Sequence, residues 1–167
     1  MKILSIGNSF SQDAHKWLYD VCKSAGKEIY NANLYYGGCT LYGHWNFYVN
    51  DQAAYDYEIK GEPTRKISLA EALRAQDWDI ITFQQASPNC GKYETYQPFL
   101  CDLHKVVKEA CPNAKFYIHR LGLTKVILQT TFLQIIIMIK NICMRACAMH
   151  ISKRLIVLMP KLFQAVM

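Results

Sequence analysis

The strongest constraint in this chain of 167 residues is an exchange between two hydrophobic periods, repeated over residues 1–119. Short apolar runs suited to strands alternate with stretches whose apolar residues recur at helical spacing. A chain with that rhythm builds a mostly parallel sheet with helices on both faces. KILSI at 2–6 reads as an apolar strand ended by Gly7. A helix follows over about 11–25, with Ser11 as the expected N-cap and Gly26 as the stop. Ala14, Leu18, Val21, Cys22 and Ala25 are its expected inward face. EIYNANLY at 28–35 reads as a second strand closed by Gly37 and Gly38. Residues 41–60 are aromatic without a regular period, and AYDYEIK with TRKIS suits a small hairpin. Ser68 and Glu71 form a capping box that opens a helix through about Ala75, because hydroxyl and carboxylate can each satisfy a free backbone N–H. Asp79–Phe83 is a buried strand, and Pro88, Asn89 and Gly91 mark a loop. A helix over about 95–110 stops at Pro112 and Asn113, and Ala114–His119 is a further strand.

In sheets of this kind ligands bind at the C-terminal ends of the strands. The loops that begin at Gly7, Gly37 and Gln84 are therefore expected to converge on one edge. The first of them, GNSFS at 7–11, presents Ser9 beside a helix N-terminus, where free N–H groups and the helix dipole favour negative charge. On the residues alone three readings stay open: a nucleophilic Ser9, a pair of serines that merely cap the helix, or a phosphate-binding loop. The last lacks the Gly-x-x-x-x-Gly-Lys spacing of nucleotide sites. His44 stands among aromatics, where a histidine either contacts substrate or packs. His119 ends a strand at the expected edge and is the better candidate to line a pocket. Trp45, Tyr93 and Tyr96 suit either a sugar-binding cleft or the core.

Charge and cysteine content narrow the classes further. The formal net charge of +6 is concentrated at one end: residues 120–167 hold seven Lys/Arg and no Asp or Glu. Residues 1–119 hold twelve Lys/Arg against thirteen Asp/Glu, so no basic groove spreads over the fold and a nucleic-acid partner is not expected. Seven cysteines form no C-x-x-C pair, which points to buried thiols and to neither a zinc site nor a disulfide framework. No metal or cofactor is expected. MKILSIGNSF lacks the apolar stretch of a signal peptide. The expected location is cytoplasmic, or secreted or periplasmic if an upstream leader precedes this sequence.

Near residue 120 two compositions meet. All eleven tyrosines and three tryptophans lie at or before Tyr117, and five of the six methionines at or after Met138. The Ile-rich, basic segment 120–167 follows neither period, which suggests an out-of-frame translation of a longer gene and leaves the sheet incomplete at its C-terminus. The rival reading is membrane association of that tail, since 121–139 approaches the ~20 apolar residues of a span; Lys125, Gln129 and Gln134 interrupt it.

IGNSFS after the first strand, YGGCTL after the second and DWDIITFQQAS at the middle strand resemble a branch of the SGNH (GDSL-like) hydrolases known mainly as a domain of unknown function. The resemblance covers about residues 2–119 and implies a flavodoxin-like α/β sandwich of three layers. It implies Ser9 as nucleophile, with its own N–H and that of Gly38 as oxyanion donors and Gly37 allowing the close approach. An Asn from a G-x-N-D loop usually completes the hole; that motif is absent, which leaves the amides of Gln84 and Gln85 as candidates. Asn8, Gly37, His44 and His119 are the expected substrate contacts. The substrate implied is a small acyl ester, including carbohydrate O-acetyl groups. The D-x-x-H motif that supplies the family's base is also absent, and His150 lies in the discordant tail. A serine without a positioned base loses ~10²–10⁴-fold in rate, so impaired catalysis, a non-catalytic remnant with a membrane-associating tail, and a phosphate-binding module all stay open.

Overall fold

Strand β1 (Lys2–Gly7) lies at the centre of a six-stranded sheet, flanked by β2 (Tyr30–Tyr35) and β5 (Ile80–Gln84), both parallel to it. The computed structural model describes residues 1–119. The expected segment 120–167, with its out-of-frame and membrane readings, lies outside the described residues. The remaining elements are α1 (Ser9–Ser24), α2 (Leu41–Val49), β3 (Tyr55–Ile59), β4 (Glu62–Ile67), α3 (Leu69–Arg74), α4 (Phe99–Ala110) and β6 (Lys115–His119). The strand order is β4-β3-β2-β1-β5-β6. The parallel strands run second, first, third and fourth in chain order across the sheet, the flavodoxin-like order that places a binding site where the order reverses beside β1.

The alternation of side chains gives the two faces different chemistry. Leu4, Ile6, Ala32, Leu34, Ile81, Phe83 and Ile118 face α2, α3 and α4 and form the hydrophobic core with Leu41, Leu69, Leu100 and Leu103. The opposite face, under α1, is polar and buried at Ser5, Asn31, Asn33, Thr82 and Gln84. Buried polar groups are costly unless bonded, and this layer is bonded in part through the helix and in part across the sheet, while Asn31 Oδ1, Asn33 Oδ1 and Gln84 Nε2 have no partner among the described residues. The Ser5 hydroxyl pairs with His15 Nε2 at 2.7 Å and receives Thr82 Oγ1 at 2.8 Å. Asn31 Nδ2 donates to the His15 carbonyl at 3.0 Å, and Asn33 Nδ2 to Glu58 at 2.8 Å. Gly61, in the β3–β4 turn, approaches so closely that an added Cβ would lie 2.7 Å from Lys16 Cα.

Several expectations are corrected. α1 begins at Ser9 with Asn8 as its N-cap, because Asn8 is extended and its side chain accepts from the Phe10 N–H. The fully buried residues of α1 are Ser11 and His15, because the face beneath the helix is polar; Ala14, Leu18, Cys22 and Ala25 are half-buried and Val21 is exposed. The aromatic stretch expected to be irregular contains α2, started by Thr40, whose Oγ1 accepts from the Gly43 N–H at 3.0 Å. The expected hairpin extends the main sheet, with β3 antiparallel to β2. Half of the capping box forms: Ser68 accepts from the Glu71 N–H, while the Glu71 carboxylate pairs with Arg65. α4 begins at Phe99, after Pro98 and two short 3₁₀ turns at Ser87–Asn89 and Tyr93–Tyr96. Of the five described cysteines, all free, Cys39 and Cys111 are buried and the others half-buried.

Candidate active site

At the C-terminal ends of β1, β2 and β5 the three loops meet around a cleft of about 290 Å³ lined by Asn8, Ser9, Phe10, Gly38, Thr40, Ala86, Ser87, Pro88 and Asn89. Ser9 is exposed there as the first residue of α1. Phe10 and Pro88 supply apolar wall; Ser87 and Asn89 supply polar groups.

Hydrogen bonds fix the serine in this place. The Asn8 N–H and the Ser11 N–H both donate to Gln84 Oε1, each at 3.2 Å. Asn8 Oδ1 accepts from the Phe10 N–H at 3.4 Å, and the Asn8 carbonyl accepts from the Gln12 N–H at 3.0 Å and from Ser11 Oγ at 2.8 Å. The first N–H groups of a helix have no partner within it, so the accounting is informative. Phe10, Ser11 and Gln12 are satisfied, and the N–H of Ser9 has no partner among the described residues. The second loop is tied to the first by Asn8 Nδ2, which donates to the Cys39 carbonyl at 3.2 Å, and by the Tyr36 N–H, which donates to the Gly7 carbonyl at 3.3 Å. Between those ties lies Gly38, with φ +65°, a conformation suited to glycine. Its N–H also has no partner among the described residues.

The two glutamines serve the backbone and do not line the cleft. Gln84 is buried with its Oε1 held as above. Gln85 is buried too: its Oε1 accepts from the Leu41 N–H at 3.1 Å and the Ala86 N–H at 2.9 Å, and its Nε2 donates to the Thr95 carbonyl at 2.8 Å. The amide-bearing residue that does line the cleft from this loop is Asn89, whose side chain makes no hydrogen bond among the described residues. Its backbone is fixed, since its N–H donates to the Ala86 carbonyl at 2.9 Å and its carbonyl accepts from the Lys92 N–H at 3.0 Å. Sequence reasoning places Asn89 only in the loop marked by Pro88 and Gly91 and gives it no role at the site.

The histidines are elsewhere. His44 is wholly buried in α2, with Nδ1 2.9 Å from the Tyr55 hydroxyl and its ring stacked on Tyr55. Its expected substrate contact is corrected, and burial brings its pKa down to about 3. His15 is likewise brought down to about 3 by burial and by His119. His119 ends β6 in register with Gln84, and burial lowers its pKa to about 4. His104 packs edge-on against Phe116. None of these four lines the cleft. Gly37 is exposed beside it, and Trp45 packs on Tyr48. Among the described residues no group of three or more His, Cys, Asp or Glu is placed to hold a metal ion, and no helix is long and apolar enough to cross a membrane.

Fold and cleft together define an α/β protein of flavodoxin-like strand order that presents a serine at the tip of its first helix. The chain belongs to the family described as domain of unknown function DUF4886, whose family model matches residues 2–124. It is similar to the crystal structure of a DUF4886 family protein from Bacteroides uniformis ATCC 8492. The two share 35% identity and a TM-score of 0.67 over 71% of this chain and 49% of that one, so this chain spans about half the length of that relative. A more distant likeness is to a candidate SGNH hydrolase from Slackia heliotrinireducens, with 22% identity and a TM-score of 0.45 over 71% of this chain and 55% of that one. No curated protein matches the chain.

Proposed function

We propose that residues 1–119 carry the nucleophile and oxyanion hole of an SGNH-type serine esterase acting on small acyl esters, including O-acetyl groups on carbohydrate. The observation that carries this reading is the meeting, on one cleft, of the Ser9 side chain with two residues, Ser9 and Gly38, whose backbone N–H groups are unpartnered among the described residues. Attack by Ser9 Oγ on an acyl carbon moves charge onto the carbonyl oxygen. Fixed donors stabilise that charge because they need no rearrangement as it develops, and loss of one such donor costs about 10²–10³-fold. The N–H groups of Ser9 and Gly38 are the backbone pair, and Asn89 Nδ2 takes the part for which the two glutamines were expected. Phe10 and Pro88 bound the acyl side of the cleft.

No described histidine lines the cleft with Ser9, so the reading calls for a general base from outside residues 1–119. Hydrolysis of nitrophenyl acetate by the full chain, with Ser9→Ala as control, tests it. Ser9-dependent turnover is expected, reduced by ~10²–10⁴-fold where the base is not in place. Identical rates for the two proteins would sink the esterase reading, and stabilisation by inorganic phosphate in the same samples would favour an anion-binding loop.

A further inference from the structure

Behind the Gly38–Thr40 and Ala86–Asn89 walls of the cleft, and outside its lining, lies the side chain of Gln85. Its carbonyl receives the N–H of Leu41, the residue that starts α2 directly after the Gly38–Thr40 wall, and the N–H of Ala86, the first residue of the opposite wall. Its Nε2 donates to the Thr95 carbonyl at 2.8 Å and lies 3.3 Å from Thr95 Oγ1. That hydroxyl reaches the carbonyls of Asn89 at 3.0 Å and Lys92 at 2.7 Å. The Asn89 N–H closes the ring on the Ala86 carbonyl. One amide, 1% exposed, thus has both ends committed, its oxygen to Leu41 and Ala86 and its nitrogen to Thr95.

We propose that Gln85 is a positioning residue that sets the separation between Gly38 and Asn89 across the cleft, acting through Thr95. The inference rests on the esterase reading, because the separation matters to catalysis only if the two residues donate to a common oxygen. Buried bonds of this kind are directional and mutually reinforcing, and a misplacement of about 1 Å in such a constellation costs on the order of 10²-fold in rate. The amide is chemically required. A carboxylate at position 85 still accepts from Leu41 and Ala86 but offers nothing to Thr95, and it turns its charge on the Thr95 carbonyl.

The test compares Gln85→Glu, Thr95→Val and Thr95→Ser in the full chain, by hydrogen exchange and by nitrophenyl acetate kinetics. Expected for Gln85→Glu and Thr95→Val is faster exchange, about 10-fold or more, confined to residues 86–96, with β1 and β2 unchanged. Ser9-dependent kcat falls about 10–100-fold with KM within about twofold, as for a loss of transition-state geometry. Thr95→Ser, which keeps the hydroxyl, restores both. Unchanged exchange over 86–96 in Gln85→Glu, or equal effects of Thr95→Val and Thr95→Ser, overturns the inference. Exchange is read whether or not the chain turns over substrate, so a silent Ser9 assay counts against the esterase reading while the 86–96 result still decides whether Gln85 holds the rim.

Discussion

Replacing Gly7 with alanine strikes the joint on which the cleft depends. A Cβ at this position would stand 2.3 Å from Ser11 Oγ, 2.7 Å from Gln84 Oε1 and 2.8 Å from Ser11 Cβ. Neither neighbour moves freely. Gln84 Oε1 receives two N–H groups, from Asn8 and Ser11, and Ser11 Oγ donates to the Asn8 carbonyl. Forcing extra volume into a packed site costs about 1–3 kcal/mol. Releasing two or three of these bonds adds about 1 kcal/mol each. The sum, about 3–6 kcal/mol, corresponds to a fall in Tm of roughly 12–24 °C for a folded unit of this size. Differential scanning calorimetry of Gly7→Ala measures it. Gly91→Ala is the control, since an added Cβ there meets nothing within 4 Å, and its Tm should stay within about 1 °C or rise slightly. A Gly7→Ala protein as stable as the Gly91→Ala control would refute the claim that the β1–α1 turn is closed against β5.

Gly61→Ala should be among the most destabilising changes in the β3–β4 hairpin, because φ is +82° and the new Cβ would lie 2.7 Å from Lys16 Cα. Gly26→Ala shares the positive φ but meets nothing, so the gap between their urea midpoints isolates the clash, about 1–3 kcal/mol; equal midpoints would show that the hairpin does not press on α1. Acid should unfold the chain early. His15 and His44 are neutral in the fold, with pKa values of about 3 against 6.5 for the free side chain. Between those values the unfolded chain binds protons that the folded chain does not. Stability is therefore full above pH 6.5 and declines as pH falls toward 3, by on the order of a few kcal/mol per histidine. Urea titrations at pH 7, 5.5 and 4 follow the decline, and a midpoint independent of pH over that range contradicts the burial of the two rings.

The strands were legible because their apolar runs, Ile3-Leu4 and Ile80-Ile81, carry a local signal that burial on the α2–α4 face reinforces. Helix α2 was not, since the aromatic residues of Leu41–Val49 form no stripe of helical period and the segment holds Gly43. Its start is fixed by the Thr40 hydroxyl and its packing by Leu41 and His44, which only the folded chain brings into place. The polar centre of the inward side of α1, Ser11 and His15, does not stand out among apolar neighbours, although the alternation in Asn31-Ala32-Asn33 signals a strand with one polar face. Ser9 and Gly38 were readable at the site because strand ends are readable. Gln84 and Gln85 were not, because whether an amide faces a ligand or is used up by backbone depends on partners up to 76 residues away in sequence, as with Asn8 and Gln84.

The polar layer beneath α1 bears on how accurately its tip is held. Two greasy surfaces can slide past one another by a fraction of a turn with little loss, because dispersion has no preferred direction. A helix seated through His15 on Ser5 and Asn31, and through Ser11 on Gln84, has a single docking register. The hydroxyl at its first residue is thereby indexed to the strand ends, like a pointer keyed to its shaft.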